Sequence, residues 1–160
     1  MQGEDSRLFQ RLVQEEGFTA GVSGSMNDLG NMYNYAGPML WNVSLYHDAG
    51  VSADDILAAV DEVVERIRTE PVDEETLARA RTKLKSSLLN SMEGLFGFGR
   101  ADLLASFALF DDDPSRINRI EAEFEAVTPD LIMQTAQEYL RSTNRTILTV
   151  EPGADKEAGR

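Results

Sequence analysis

The 160-residue chain carries a net charge of -13 and contains no cysteine, and both facts exclude classes of function. The acidic balance argues against a nucleic-acid partner, because phosphate binding needs a basic surface. Without cysteine there is no disulfide, no thiolate zinc site and no cysteine nucleophile. No apolar run reaches the length of a membrane span, and the chain length fits one domain with its own core.

A first helix and two strands are predicted at the start of the chain. Ser6 is a typical helix cap and Gly17 a typical helix end, with apolar side chains recurring between them. From residue 18 to residue 27 the apolar period changes to two, which predicts a strand with one polar face of small residues. A Gly/Asn/Tyr-rich loop over 28–37 and a second alternating stretch over 39–47 follow. We expect the two strands to be antiparallel neighbours.

Two long helices are predicted next. Ser52 caps the first of them and Pro71 ends it. Asp73 caps the second, and a glycine-rich break over 94–99 separates it from another apolar helix that restarts near Arg100. The expected buried stripe of the helix after Ser52 is Ile56, Leu57, Val60, Val63, Val64 and Ile67. The expected stripe of the helix after Asp73 is Leu77, Ala80, Leu84, Leu88, Met92 and Leu95.

The last third of the chain predicts two short helices and a final strand. Asp113 and Thr128 each precede a proline, a pattern typical of helix starts. A strand is expected over 146–150, followed by a tail without apolar pattern that is predicted to be disordered over 153–160. These elements predict an α+β fold with helices packed on one face of an antiparallel sheet. Three strands are few for so many helices, so further sheet elements are expected before residue 1.

The sequence offers little chemistry of its own. His47 is the only histidine, so a helical zinc motif with two histidines one turn apart cannot form. The Gly-Val-Ser-Gly run over 21–24 lacks the spacing of a nucleophile elbow. Asn42 and Asn144 begin glycosylation sequons, a pattern that is common by chance. The residues alone therefore predict a domain without an active site.

Residues 6–22 read SRLFQRLVQEEGFTAGV, which resembles the segment written SSRLFQELREKRGLAYSV in many zinc peptidases. These are the peptidases of the pitrilysin, insulin-degrading-enzyme and mitochondrial-processing-peptidase family. The order of later segments is also similar: PVDEETLARAR at 71–81, RADLL at 100–104, VTPDLI at 127–132 and RTILTVEP at 145–152. The resemblance covers residues 6–152, which we take as one partial inactive peptidase domain.

The resemblance implies a half-domain that closes like a clamshell with a second, similar half on an unfolded peptide. One half carries an inverted zinc motif, His-x-x-Glu-His, which is absent here, so this chain resembles the non-catalytic half. In many members that half lends an Arg and a Tyr to the substrate carbonyl. Alignment on Gly17 places these positions at Val13 and Ala20, which carry neither functional group. Arg11 and Phe18 lie nearby but would require a two-residue slip, so no catalytic or metal-binding residue is predicted.

Two functions remain open at this point. The first is the non-catalytic half-domain of a zinc endopeptidase, which closes the substrate chamber and binds the catalytic half; the zinc is then expected in that other half. The second is a degenerate scaffold that only mediates protein assembly. The expected partners are the catalytic half, a peptide substrate in the parent protein and, through an unpaired sheet edge, a second copy of the chain. The resemblance further implies a bacterial periplasmic or envelope location.

Overall fold

The computed structural model describes residues 3–26, 32–93 and 99–150. A helical turn, α1 (Arg7–Phe9), continues directly as a π-helix (Gln10–Glu15). The remaining elements are, in chain order, β1 (Val22–Met26), β2 (Trp41–Leu45), α2 (Ala53–Thr69), α3 (Glu74–Glu93), α4 (Gly99–Phe110), a 3-10 helix (Pro114–Asn118), α5 (Ile120–Glu125) and α6 (Pro129–Tyr139).

The predicted helix starts are confirmed by their capping hydrogen bonds. The Ser52 hydroxyl accepts from the backbone N–H of Asp54 at 3.2 Å, and Asp73 Oδ1 accepts from that of Thr76 at 2.7 Å. The other caps are Ser6, Asp113 and Thr128, whose side chains accept backbone N–H groups in the same way. Each cap satisfies a donor that the first helical turn leaves unpaired.

The first helix differs from the prediction because it ends in wide turns. The backbone N–H of Glu16 donates to the carbonyl of Arg11, five residues back, at 3.2 Å. The N–H of Phe18 donates to the carbonyl of Leu12 at 2.9 Å. Gly17 adopts the left-handed conformation, with φ of 65°, that lets the chain reverse there. The backbone at Phe18 is therefore still bonded to the helix, which is why the strand predicted from residue 18 starts only at Val22.

The sheet has two antiparallel strands in the described residues, with Val22 opposite Leu45 and Met26 opposite Trp41. The second strand is also shorter than the predicted 39–47. The predicted strand over 146–150 is wrong, because these residues belong to no helix or strand. A strand requires a neighbour to bond with, and β1 and β2 pair only with each other in the part of the chain that the structure describes. The fold is the predicted α+β type with a smaller sheet.

Two separate hydrophobic clusters form the core. The first lies between the initial helix and α2 and consists of Leu8, Leu12, Ile56, Ala59 and Val63, with apolar residues of both strands packed against it. The second joins α3, α4 and α5 and consists of Leu88, Leu103, Phe107 and Ile120. Burial of these side chains is the main force that holds the helices together.

The apolar stripe of α3 is only partly covered. Leu77 and Leu88 are buried, whereas Ala80 is exposed and Leu84 half-buried. The helix packs mainly on α4 and α5, and Leu84 faces a groove between α3 and the sheet, which explains the partial exposure of Leu84. Several predictions fall outside the described residues: Leu95 and the break over 94–98, the loop over 28–31, and the tail over 151–160. The structure also divides the predicted helix after Asp113 into the 3-10 helix and α5.

The packing of the second hydrophobic cluster can be tested by substitution of Phe107. Its ring is fully buried, meets Tyr33 edge-on at 5.7 Å between centroids and lies beneath the Arg116 guanidinium at 5.3 Å. We expect Phe107→Ala to lower the free energy of unfolding by about 3–5 kcal/mol, as measured by urea denaturation. The matched control Leu109→Ala removes a 76% exposed side chain on the same helix and should stay within about 0.5 kcal/mol. Equal effects of the two substitutions would contradict this packing.

The ion pair of Glu123 predicts a pH dependence. Arg116 donates to both carboxylate oxygens, at 2.8 and 3.2 Å, and this hydrogen bonding holds the pKa of Glu123 below its usual value. Because the pKa is lower in the folded chain than in the unfolded chain, the pair stabilises above the ordinary glutamate pKa of about 4.3. That contribution is lost as pH falls through the lowered folded pKa.

We therefore expect Glu123→Gln to be less stable than the unaltered chain at pH 7, and the difference to vanish as pH is lowered below about 4 towards 2. Urea denaturation at a series of pH values measures it. The control is Glu121→Gln, which removes another carboxylate of α5, and it should destabilise the chain less at pH 7 because Arg116 donates to Glu123. A Glu123→Gln deficit that stays constant across this pH range would refute the role of the ion pair.

Candidate functional site

The helix-to-strand segment, residues 11–21 from the π-helix to the start of β1, is the candidate site, because the sequence places there both positions at which the family carries an Arg and a Tyr. Val13 is half-buried in the π-helix and Ala20 is exposed just before β1. An aliphatic side chain and a methyl group offer no hydrogen-bond donor to a substrate carbonyl. These two positions can therefore contribute shape but no charge or polarity.

Arg11, the arginine nearest to Val13 in the sequence, is bonded to two glutamates. Its guanidinium donates through Nε and Nη2 to one oxygen of Glu62 on α2, at 3.1 and 2.9 Å. It also pairs with Glu16, and the hydrogen bonds to Glu16 and Glu62 raise the pKa of Arg11 above its usual value. The guanidinium thus fastens the first helix to α2. Phe18, the nearest aromatic residue, packs against the first hydrophobic cluster.

Thr19 is a structural residue that the sequence did not single out. Its buried hydroxyl lies 2.6 Å from the carbonyl oxygen of Tyr46 and 2.8 Å from that of Gly21. It also accepts the N–H of Gly21 at 3.2 Å. The hydroxyl therefore ties the start of β1 to the chain just beyond β2. In the sequence Thr19 is one polar residue in an alternating stretch, a pattern that gives no sign of burial.

A groove of about 550 Å³ lies between the sheet and helices α3 and α4. Its apolar lining includes Met26, Met32, Tyr33, Trp41 and Leu84. The polar residues that border it include Ser87 and Ser91 of α3 and Asp102 of α4. Such a lining can accept apolar side chains, and methionine adapts readily to different shapes. The Ser91 hydroxyl donates to the carbonyl oxygen of Leu88 at 2.7 Å, so it is engaged within α3.

Metal-binding geometry is not found in the described residues. Over 3–26, 32–93 and 99–150, no group of three or more His, Cys, Asp or Glu side chains could hold an ion. His47 is exposed beyond the end of β2, not within it as predicted, and its Nδ1 lies 3.0 Å from the carbonyl oxygen of Asp48. The described part of the chain therefore offers no set of zinc ligands.

The two sequons lie in different settings. Asn42 is half-buried in β2, and its amide nitrogen is buried without a hydrogen-bond partner. Asn144 is exposed in the turn after α6, where its amide donates to the carbonyl of Tyr139 at 2.9 Å. Among helices of the described residues, none is both long and apolar enough to cross a membrane.

Comparison with solved structures shows the fold. The chain is similar to a candidate zinc protease from Bordetella pertussis Tohama I, with TM-score 0.70 and 22% identity, covering 90% of this chain and 74% of that one. It is also similar to the inactive peptidase domain of a candidate zinc protease from Bordetella parapertussis, with TM-score 0.69 and 22% identity, covering 95% and 78%. A protease from Helicobacter pylori aligns with TM-score 0.69 and 13% identity, over 89% of this chain.

The chain spans only 32% of the Helicobacter pylori protease chain. No curated protein sequence matches it. A family model described as "Peptidase M16 inactive domain" matches residues 1–84, just over half of the chain, and this range contains the initial helix, both strands, α2 and the start of α3. The resemblance to the insulinase-like zinc peptidases is thereby confirmed, and the chain belongs to the family of peptidase M16 inactive domains.

Proposed function

We propose that the chain is the non-catalytic half-domain of a zinc-dependent endopeptidase, where it closes the substrate chamber and binds the catalytic half. Membership of the family of peptidase M16 inactive domains carries this proposal, and the contacts of the helix-to-strand segment support a non-catalytic role. Arg11 is held by Glu62, Phe18 lies against the core, and Thr19 bonds to the chain beyond β2. The side chains that could act on a substrate instead hold the fold, and Val13 and Ala20 supply no replacement.

Several exposed apolar residues are available for contacts with other polypeptides. Leu40, Tyr46, Leu109, Leu131 and Tyr139 are between 47% and 94% exposed. Apolar surface of this kind is typical of interaction sites when it is contiguous. The groove beside Trp41 offers a further apolar surface for peptide side chains inside a chamber. The net charge of -13 would favour basic over acidic peptides.

Zinc chemistry is assigned to the other half. A zinc ion with a general base activates water for peptide hydrolysis when it is bound. The described residues of this chain provide no set of ligands for it, so no step of the reaction is placed on them. Their proposed contribution is to hold the peptide and exclude water once the two halves close.

A pure scaffold is the second candidate, and the residues at Val13 and Ala20 favour it. Without polar groups at these two positions, the segment has no donor that could stabilise the transition state at the scissile bond. In this reading the chain binds its partner without changing the rate of peptide cleavage. The two candidates therefore differ in a measurable rate, although both predict a complex.

The test compares three samples: the purified chain, the zinc-bearing half from the same organism, and their mixture. We expect the chain alone to hold less than about 0.1 zinc per molecule and to leave a fluorogenic peptide uncut. The mixture should cleave the peptide at least about tenfold faster than the zinc-bearing half, because closure positions the substrate. Unaided cleavage or stoichiometric zinc in this chain would overturn the proposal. A complex without acceleration would establish the scaffold instead.

A second test introduces, at positions 13 and 20, the Arg and Tyr that many family members carry there. We expect Val13→Arg with Ala20→Tyr to raise the cleavage rate of the mixture by about tenfold or more, because donors aimed at the substrate oxygen stabilise the transition state. Ala20→Tyr alone is the milder variant, since Ala20 is exposed and tolerates a larger side chain. The control is Ala58→Tyr, an exposed site on α2. Equal rates for the restored and control variants would mean that this segment does not face the scissile bond.

A further inference from the structure

The groove between the sheet and helices α3 and α4 combines apolar walls with one carboxylate. Met26 of β1 and Trp41 of β2 line its sheet side, and Leu84 lines its α3 side. Asp102 of α4 is the only charged side chain among the described residues that line it. Its volume of about 550 Å³ is within the usual range of ligand sites. The groove can therefore hold a ligand that is mainly apolar and carries one positive charge.

Asp102 has no cationic partner in the described part of the chain. Its side chain is half-buried, yet no ion pair or hydrogen bond reaches its carboxylate from the residues over 3–26, 32–93 and 99–150. Arg100 lies two residues earlier on α4 but is exposed, and residues two apart on a helix do not face each other. A carboxylate partly withdrawn from water is stabilised when a ligand brings a cation to it.

The helix dipole alone does not account for the position of Asp102. An acid in the first turn of a helix is stabilised by the positive end of the dipole, and Asp102 occupies that turn of α4. Asp130 occupies the same turn of α6, where it is exposed to solvent. The dipole is thus served equally well by an acid on the open surface, and it does not require one beside an apolar groove.

Arginine is the side chain that suits both features of the groove. Its methylene stem packs on apolar surface while its guanidinium stays with a carboxylate. The planar guanidinium also stacks on indole rings, and it is more weakly hydrated than the lysine ammonium. Trp41 is half-buried and lines the groove from the wall opposite Asp102. The net charge of -13 adds a general attraction for cations.

We propose that the groove binds an arginine side chain of a peptide, with its guanidinium paired to Asp102 and stacked beside Trp41. A neighbouring apolar side chain of the peptide packs on Met26 and Leu84. This inference rests on the proposed function and deepens it, because it names the class of peptide that the half-domain holds: one with an arginine next to an apolar residue.

The test uses the fluorescence of Trp41, which is the only tryptophan of the chain. The probes are acetyl-Ala-Leu-Arg-Leu-Ala-amide and the same peptide with glutamine in place of arginine, neither of which contains an aromatic residue. With excitation selective for tryptophan, we expect a saturable change, and binding of the arginine peptide at least about tenfold tighter than that of the glutamine peptide. No saturable change, or equal affinities for the two peptides, would overturn the proposal.

A pair of charge variants tests the role of the carboxylate. Asp102→Asn and Asp130→Asn each remove one negative charge from the first turn of a helix, but only Asp102 lines the groove. We expect Asp102→Asn to weaken binding of the arginine peptide at least about tenfold and to leave the glutamine peptide unaffected. Asp130→Asn should change neither affinity. Equal losses in the two variants would show an effect of net charge alone and would overturn the pairing.

A steric pair keeps the proposal testable if Asp102→Asn does not fold. Ser87 lines the groove, whereas its exposed neighbour Ser86 does not. We expect Ser87→Phe to weaken binding of the arginine peptide about tenfold or more, because the added ring occupies the space of the peptide side chains. Ser86→Phe should leave the affinity unchanged. An unaltered affinity in Ser87→Phe would mean that the peptide binds elsewhere and would overturn the proposal.

These measurements use the purified chain without the zinc-bearing half, so they separate this inference from the proposed function. An arginine preference without faster cleavage in the mixture would support the groove and count against assistance to catalysis. Faster cleavage in the mixture without an arginine preference would overturn the inference about the groove and leave the proposed function intact.

Discussion

The packing of the first helix on α2 is the contact on which the rest of the structure depends. Leu12 is fully buried there, and both strands place apolar side chains against the same cluster. The pair between Arg11 and Glu62 lies at the edge of this contact. Because the chain runs from this helix directly into β1, the same packing fixes where the sheet begins. The candidate site is thus built into the core rather than displayed on a mobile loop.

The packing of the first helix on α2 limits which side chains of the candidate site can contact a substrate. A segment that would assist catalysis must present polar groups to a substrate, yet here Arg11 is paired with Glu62, Phe18 packs on the first hydrophobic cluster and Thr19 is buried. Val13 is half-buried and Ala20 is exposed, so neither belongs to the buried cluster around Leu12. Belonging to a family of inactive peptidase domains fits this separation between scaffold and chemistry.

Local signals in the sequence predicted the helices well. Ser52, Asp73 and Thr128 are short polar caps whose bonds depend only on the next three residues, so each start could be located. The family also followed from a local pattern, the residues around Gly17. The features that the sequence did not predict depend on contacts between residues far apart in the chain. Residues 146–150 have strand composition, but pairing needs a neighbour that composition cannot supply. The burial of Thr19 depends on Tyr46, 27 residues away, and no local pattern encodes it.

We propose that this chain binds a half-domain that holds the catalytic metal. Native mass spectrometry of the mixture with the zinc-bearing half tests it most directly, because it gives the stoichiometry of both chains and of zinc in one measurement. We expect one copy of each chain and one zinc per complex, and release of this chain free of metal when the complex is dissociated. Zinc that stays with this chain, or no complex at micromolar concentration, would contradict the account.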